Sequence, residues 1–348
     1  MAMDWFEQLT GFREQDWAST RARLAVEDGM LVSRVNGRRC GIGRLEVCTL
    51  QALRSRVPHG SAAGPRTRVR CLAGDVRQMH AAPAFEGALF QVASQFNLLE
   101  MVSPDVSPED GVTRYAHDRT QGPACAIAAG AATVYRNYFA PVGDSFGQTA
   151  TRQIDALAPL GAALAERLGR PVQDLWTMRN GYALGTAEGL AAIAGLLRHA
   201  DAPTLQALRG QLAIGLHRDV EVSDAPGPRR PVVSQAYCSA LPVAYSGIAP
   251  AAWAPFARLV LEAAYEATLL AAVEQQRQGG SATVLLTRLG GGVFGNEAAW
   301  IDEAMQRALH TVADRGLDVV LVSYGHIDAS MAKVARDWAD AAPLPGPG

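Results

Sequence analysis

Lysine is almost absent. Of 32 basic residues in the 348-residue chain only Lys333 is a lysine. It stands in Met-Ala-Lys-Val, not in Gly-Lys-Ser/Thr, so P-loop nucleotide chemistry is excluded. The Val-Ala-Ile-Lys strand of protein kinases is missing as well. A Schiff-base lysine would have to be Lys333, in a helical stretch near the C-terminus, a poor setting for one. Cysteine is scarce too: five residues, an odd number, widely spaced and without a Cys-x-x-Cys pair. That excludes a disulfide framework or a zinc ribbon. The net charge of −2 gives no bulk attraction to nucleic acid or anionic membrane. No long apolar run exists, since the 251–273 segment is interrupted by Arg258, Glu262 and Glu266. The opening Met-Ala-Met-Asp-Trp-Phe-Glu-Gln has neither the basic nor the apolar region of a signal peptide, and a cytoplasmic location is expected.

What is present is an ordinary globular balance, 49% apolar and 19% charged. Residues 1–57 read as a small helix-and-hairpin unit. A roughly helical stretch covers 14–27, and strands 31–35 and 44–49 flank the Asn36-Gly37 turn. Residues 58–66 are rich in glycine and proline and read as a linker. From 67 to 335 the pattern alternates between strand and helix. Strands are expected at 68–73, 88–93, 211–223, 232–245, 282–287 and 317–324. Helices are expected at 122–139, 151–168, 186–198, 255–274 and 297–313. The fold class expected is α/β, a three-layer α/β/α domain with a mixed sheet and a small N-terminal extension. Residues 336–348 read as a disordered tail.

The segment Gly290-Gly291-Gly292-Val293-Phe294-Gly295-Asn296 is the most informative. Consecutive glycines let backbone N–H groups approach a ligand closely. The loop leaves a strand and enters a helix N-terminus, where free N–H groups and the helix dipole favour an anion such as a diphosphate. The bland alternative is a tight strand–helix turn capped by Asn296. The loop does not match Gly-x-Gly-x-x-Gly, and no acidic residue sits where a dinucleotide site needs it.

With its flanking strands, Trp300-Ile301 and Leu-Asp-Val-Val-Leu-Val-Ser-Tyr, this loop resembles the second phosphate loop and last strand of macrodomains. Ala264-Tyr265-Glu266-Ala267-Thr268-Leu269 is similar to that family's Tyr-x-x-x-Leu helix. Gly74-Asp75-Val76 is similar to its Gly-Asp-Ile, and Asn97 to the end of its Val-Asn-Ala-Ala-Asn strand. Thr120-Gln121-Gly122-Pro123 stands where its first glycine-rich loop would be. The resemblance spans about 67–330, with insertions near 100–118 and 140–230. The triple glycine is also similar to poly(ADP-ribose) glycohydrolases, whose Gln-Glu-Glu signature this chain lacks. The resemblance implies a macrodomain-like fold that binds ADP-ribose or an ADP-ribosylated target, needs no cofactor, and hydrolyses the ADP-ribose linkage or only binds it. Nucleic acid enters only as a modified substrate. Asp75 would accept the adenine amino group and Asn97 would touch the distal ribose. Gln121 and Gly122 would face the loop of Gly290 to Asn296 across a phosphate cleft.

Read from the residues alone, each assignment has a plainer alternative. Asp75 could cap a helix, Asn97 could close a turn, and Gly122 could simply precede a proline at a helix start. Tyr324 could stack on a base or fill the core. Of the carboxylates near these loops (Glu100, Asp105, Glu109, Asp110, Asp118 and Glu297), Asp118 is the candidate base, three residues before Gln121. Two competitors remain. Gly143-Asp144-Ser145-Phe146-Gly147 has the letters of a nucleophile elbow, with Asp219 or Asp318 and His326 downstream, and defines a serine-hydrolase alternative through Ser145. His217, Asp219 and Glu221 alternate as metal ligands on one strand face would; no metal is expected.

Overall fold

The computed structural model describes residues 3–57 and 64–341. The linker expected at 58–66 therefore lies mostly outside the described residues. Of the tail expected at 336–348, residues 336–340 instead continue the helix Ala329–Asp340, with Trp338 buried against the domain, and 342–348 lie outside the described residues. Seven strands form the main sheet. In chain order they are β1 (Arg44–Thr49), β2 (Arg68–Ala73), β3 (Leu89–Ala93), β4 (Ala213–Glu221), β5 (Val232–Cys238), β6 (Thr283–Leu286) and β7 (Asp318–Ser323). Their spatial order is β1-β4-β5-β3-β6-β7-β2. Strands β5, β3, β6, β7 and β2 run parallel. Strand β4 is antiparallel to both of its neighbours, β1 and β5.

The central strands β3, β5, β6 and β7 are buried on both faces because helices cover both, as a parallel sheet requires, whereas the edge strands β1 and β2 expose Arg44, Arg68 and Arg70. Successive side chains of β3 show it. Phe90 stacks on His80 of the helix Val76–Ala81, ring centroids 3.8 Å apart. Gln91, pointing the other way, donates to Thr268 Oγ1 of the helix Pro250–Arg277 at 3.0 Å. The architecture is the three-layer α/β/α sandwich with a mixed sheet that the sequence leads one to expect. The helix Pro250–Arg277 starts at a proline, which suits a first helical position. It is buried around most of its girth between the sheet and neighbouring helices.

Several expectations need correction. The Asn36-Gly37 hairpin forms, but it pairs Met30–Ser33 with Arg39–Gly41. Arg44–Thr49 instead crosses to become the edge strand β1 of the main sheet. Residues 3–57 are thus stitched into the domain by pairing. Glu14 adds to this by accepting from Val112 N, Thr113 N and the Tyr138 hydroxyl. The helix expected over 14–27 is only Trp17–Ala22, capped by Asp16, and Leu24–Glu27 is a strand. The helix expected over 122–139 breaks into Gln121–Ala128 and Gly130–Tyr138. Gly130 passes so close to Trp5 that a Cβ there would stand 2.9 Å from its ring, and Ala131 N is taken by Ser223 Oγ.

Candidate functional site

The five parallel strands end on one edge, and a cleft runs along it, where open α/β sheets hold their ligands. The cleft has two adjoining lobes of about 570 Å³ and 310 Å³. Asp118, Gln121, Thr287, Arg288 and Tyr324 line both. The first lobe extends over the end of β2 to Gly74 and Asp75, the second over the ends of β3 and β5 to Glu100 and Gly292.

The glycine loop forms one wall. Gly290 has φ +69°, and a Cβ there would lie 2.5 Å from the Ala240 Cβ, so the turn out of β6 requires glycine. Asn296 N bonds to Gly290 O and Gly295 N to Gly292 O, folding the loop on itself. Among the described residues no acceptor receives the N–H of Gly292, Val293 or Phe294. Three consecutive backbone N–H groups are thus left without a partner on the wall of the second lobe. The loop's entry is pinned by Tyr265, whose hydroxyl donates to Thr287 O at 2.6 Å and accepts from Leu289 N at 2.9 Å. Arg288 binds Asp302 and Asp328, tying the loop to the helices Ala298–Thr311 and Ala329–Asp340.

The opposite wall is the start of the helix Gln121–Ala128. Thr120 provides no side-chain cap, so the first-turn N–H groups remain open toward the cleft. Gln121 itself is committed elsewhere. Its Oε1 accepts from Ala93 N and its Nε2 donates to Gln91 O, so the side chain extends the edge of β3. Asp118 faces both lobes and accepts from Thr120 N at 2.9 Å.

The remaining expected site residues divide. Asp75 lines the first lobe and also caps the helix after β2, its Oδ1 accepting from Arg77 N at 2.8 Å. The two readings of Asp75 coexist because the cap uses one oxygen. Tyr324 is 78% exposed at the end of β7, on both lobes, so it is not a core aromatic. Gly290, Gly292, Val293 and Phe294 line the second lobe. Gly291, Gly295 and Asn296 do not line it. Asn296 is buried, donates to Leu241 O and braces the loop from behind; the capping position before the next helix belongs to Glu297.

Asn97 departs furthest from its expected place. It is fully buried away from the cleft, with Oδ1 accepting from Leu99 N and Nδ2 donating to Gln153 Oε1. The turn-closing alternative describes it. Leu98 beside it has φ +63°, so the chain turns sharply at this point and carries Asn97 inward.

No family model matches the chain and no curated protein matches it. Solved structures do. The poly(ADP-ribose) glycohydrolase of Thermomonospora curvata is 14% identical at a TM-score of 0.46, over 90% of this chain and 94% of that one. The same enzyme bound to the inhibitor ADP-HPD gives 15% and 0.43, over 90% and 94%. The poly(ADP-ribose) glycohydrolase of Deinococcus radiodurans in complex with ADP-ribose gives 12% and 0.41, over 85% and 94%. Likeness this slight carries no weight for activity, which has to be read from the cleft.

The two competing constellations do not assemble. Ser145 sits in a two-residue strand of a tight hairpin, Pro141–Val142 with Ser145–Phe146, turned at Gly143 with φ +57°. It is not a strand-to-helix elbow and does not border the cleft, so the serine-hydrolase alternative lacks its nucleophile. A bulge interrupts β4 between His217 and Val220. His217 is buried against Arg136, while Asp219 is exposed and pairs with Arg44. Glu221 accepts from Gly41 N. The alternation that would have gathered three metal ligands is broken. Among the described residues no other His, Cys, Asp or Glu group is placed to hold a metal ion, and no helix is long and apolar enough to cross a membrane.

Sequence reasoning missed the aromatic wall of the second lobe. Tyr182, from the inserted hairpin Trp176–Arg179/Tyr182–Gly185, meets Tyr245 and Phe294 with centroids 5.2 and 5.3 Å apart. Its hydroxyl donates to Met101 O at 2.6 Å, so the 140–230 insertion braces the 100–118 insertion across the cleft. It also missed the weight of Glu100, which was one of six loop carboxylates with nothing in its neighbours to single it out.

Proposed function

We propose that this cleft binds an ADP-ribose-type nucleotide and that the chain hydrolyses the ADP-ribose linkage. The observation that carries the reading is the pair of opposed donors. The unbonded N–H groups of Gly292 to Phe294 and the uncapped first turn at Gln121 and Gly122 line the same lobe, together a cradle for a diphosphate. The first lobe offers Asp75 to an adenine amino group and Tyr324 to the ring face. The second lobe, lined by Asp118, would receive the distal ribose, with Asp118 as the base that activates water.

Millimolar ADP-ribose should raise the melting temperature as ligand linkage requires, and AMP or ribose 5-phosphate should raise it less. No shift with ADP-ribose overturns the reading. Asp118→Asn should lower release of ADP-ribose from modified acceptors by about 10²-fold, the scale of a lost general base, with little change in binding. A module that binds without turnover is the second reading. It is favoured by one observation: the asparagine expected at the distal ribose lies outside the cleft. Wild-type protein that shifts with ADP-ribose yet releases none from any acceptor would establish it.

A further inference from the structure

A second cavity, of about 250 Å³, lies outside the cleft, where the N-terminal unit meets the connection between β4 and β5. It shares Ile127 with the first lobe. Arg77 of that lobe grips Asp224 of the cavity with two bonds, at 2.6 and 2.8 Å, so an ion pair joins the walls of the two spaces.

The charges of this cavity do not balance. Arg38 and Arg230 both donate to one carbonyl oxygen, that of Ser223. Two guanidinium groups thus converge on a neutral acceptor. Arg38 has no carboxylate partner among the described residues; its other bond goes to Gln8 O at 3.1 Å. Arg230 reaches one carboxylate, Glu221, at 3.6 Å, and Gly41 N already donates to that group. With Asp224 taken up by Arg77, three guanidiniums meet two carboxylates. Each arginine uses only part of its five-donor fork, and like charges this close repel unless an anion lies between them. Ser223 is 7% exposed and supplies a further donor. Its Oγ accepts from Ala131 N at 3.2 Å, and its own proton has no acceptor among the described residues. Ala131 belongs to the first turn of the helix Gly130–Tyr138, whose positive end adds to the surplus.

We propose that this cavity is a phosphoryl-binding site, separate from the glycine-loop cleft, in which Arg38 and Arg230 hold the anion and Ser223 Oγ is a third donor. Planar guanidinium forks match pairs of anion oxygens. A carboxylate has oxygens for one such fork, whereas a phosphate has oxygens for two and charge enough to offset the surplus. Two sources carry that chemistry. One is inorganic phosphate. The other is a phosphate ester on the adenosine end of a nucleotide in the cleft, reaching past the Arg77–Asp224 pair; this second source rests on the ADP-ribose reading above.

Calorimetric titration of the full chain with inorganic phosphate, at constant ionic strength, tests the site without any nucleotide. We expect the wild type to bind phosphate. Arg38→Gln and Arg230→Gln should each bind it at least ~10-fold more weakly, the loss of one charge-assisted hydrogen bond. Acetate at the same concentration should not displace it. No phosphate binding, equal binding in wild type and both variants, or equal displacement by acetate overturns the proposal. Arg38 also holds Gln8 O, and both arginines hold Ser223 O, so the variants could fail to fold. Phenylglyoxal modification of the wild type then replaces them. Phosphate should shield Arg38 and Arg230 from the reagent, as read by peptide mass spectrometry, and equal modification with and without phosphate overturns the proposal.

ADP-ribose, and ADP-ribose carrying a phosphate on the adenosine 2′ oxygen, separate the two sources. Tighter binding of the phosphorylated form by at least ~10-fold, lost in Arg230→Gln, makes the cavity a continuation of the cleft. Equal affinity for the two nucleotides, beside intact binding of inorganic phosphate, makes it a site for free phosphate. Wild type that binds phosphate but neither nucleotide removes the ADP-ribose reading and leaves the phosphoryl site standing.

Discussion

A Cβ on Gly122 would stand 2.0 Å from Ala93 O and 2.2 Å from Glu100 Oε2. Residue 122 is therefore glycine because the acid, the end of β3 and the start of a helix converge there. Gly122→Ala must push either the carboxyl or the helix start away from the cleft. We expect a loss of about 1–3 kcal/mol in stability, the usual cost of overpacking, and loss of ADP-ribose release beyond what that destabilisation explains. Chemical denaturation and turnover on the same preparation check both. Wild-type turnover in Gly122→Ala would mean that the contact is not part of the reacting site.

Two glycines of the triple-glycine loop should behave in opposite ways. A Cβ on Gly292 would meet nothing within 4 Å, whereas one on Gly290 would collide with Ala240 at a left-handed backbone position. Gly292→Asp should fold as wild type and bind ADP-ribose at least ~10-fold more weakly, because a carboxylate beside a diphosphate is repelled. Gly290→Ala should lower the melting temperature first. Calorimetric titration of the two variants, with melting curves alongside, separates them. Unaltered affinity in Gly292→Asp would place the diphosphate elsewhere.

Tyr265 links the core helix to the loop through one hydroxyl that serves both Thr287 O and Leu289 N. Tyr265→Phe removes two buried hydrogen bonds and leaves Leu289 N and Thr287 O only the 3.1 Å bond they make with each other, costing about 1–3 kcal/mol for the pair. The same change frees the strand end that aims the glycine loop, so nucleotide affinity should fall with stability. A variant that loses stability but keeps full affinity would show that the loop holds its shape without this anchor.

Much of the fold was legible in the sequence because its cause is local. The apolar runs of β3, β6 and β7 and the helical spacing of Ile301, Ala304, Met305 and Ala308 follow from burial on defined faces, and the elements formed within a residue or two. The glycine loop was legible for the same reason: left-handed turns and bare backbone need glycine. What could not be read depends on contacts between distant segments. That Arg44–Thr49 would leave its own hairpin turn for the main sheet is set by its pairing with β4, some 170 residues away. The inward turn of Asn97 is set by its bond to Gln153. Glu100 looked like any loop carboxylate, since only the folded chain removes water from it. Asp118 and Tyr324 were identifiable because a position just outside a strand end or helix start suffices to put a side chain in the cleft.

The polar network behind the cleft makes a prediction about pH. His80 is fully buried, its Nδ1 on Val76 O at 2.7 Å and its Nε2 facing Gln235 Nε2 at 3.1 Å. Gln235 also donates to Cys125 O and accepts from the Tyr237 hydroxyl, so the chain of bonds reaches the helix that begins at Gln121. With the amide nitrogen of Gln235 donating, the neutral ring donates from Nδ1 and accepts at Nε2, and a second proton would break the chain. Burial lowers the His80 pKa from 6.5 to about 4, against the opposing pull of Val76 O and Asp75. Between these two values the unfolded chain binds a proton that the folded one does not, so stability falls as pH drops from about 6.5 toward 4. His217 shifts in the same direction, through burial and then Arg136. Glu100 has the opposite sign: its folded pKa is raised, so its share of stability is lost as pH rises above the ordinary glutamate value. The wild-type slope mixes these, and a variant isolates one of them. His80→Gln cannot take up the proton, so its stability difference between pH 7.5 and pH 4.5 should be smaller than that of the wild type by up to roughly 3 kcal/mol, the linkage value of such a shift. Urea midpoints at the two pH values measure it. An identical difference in the two proteins would mean that His80 does not remain neutral in the folded state at pH 4.5, and that water or a rearranged Gln235 reaches the ring.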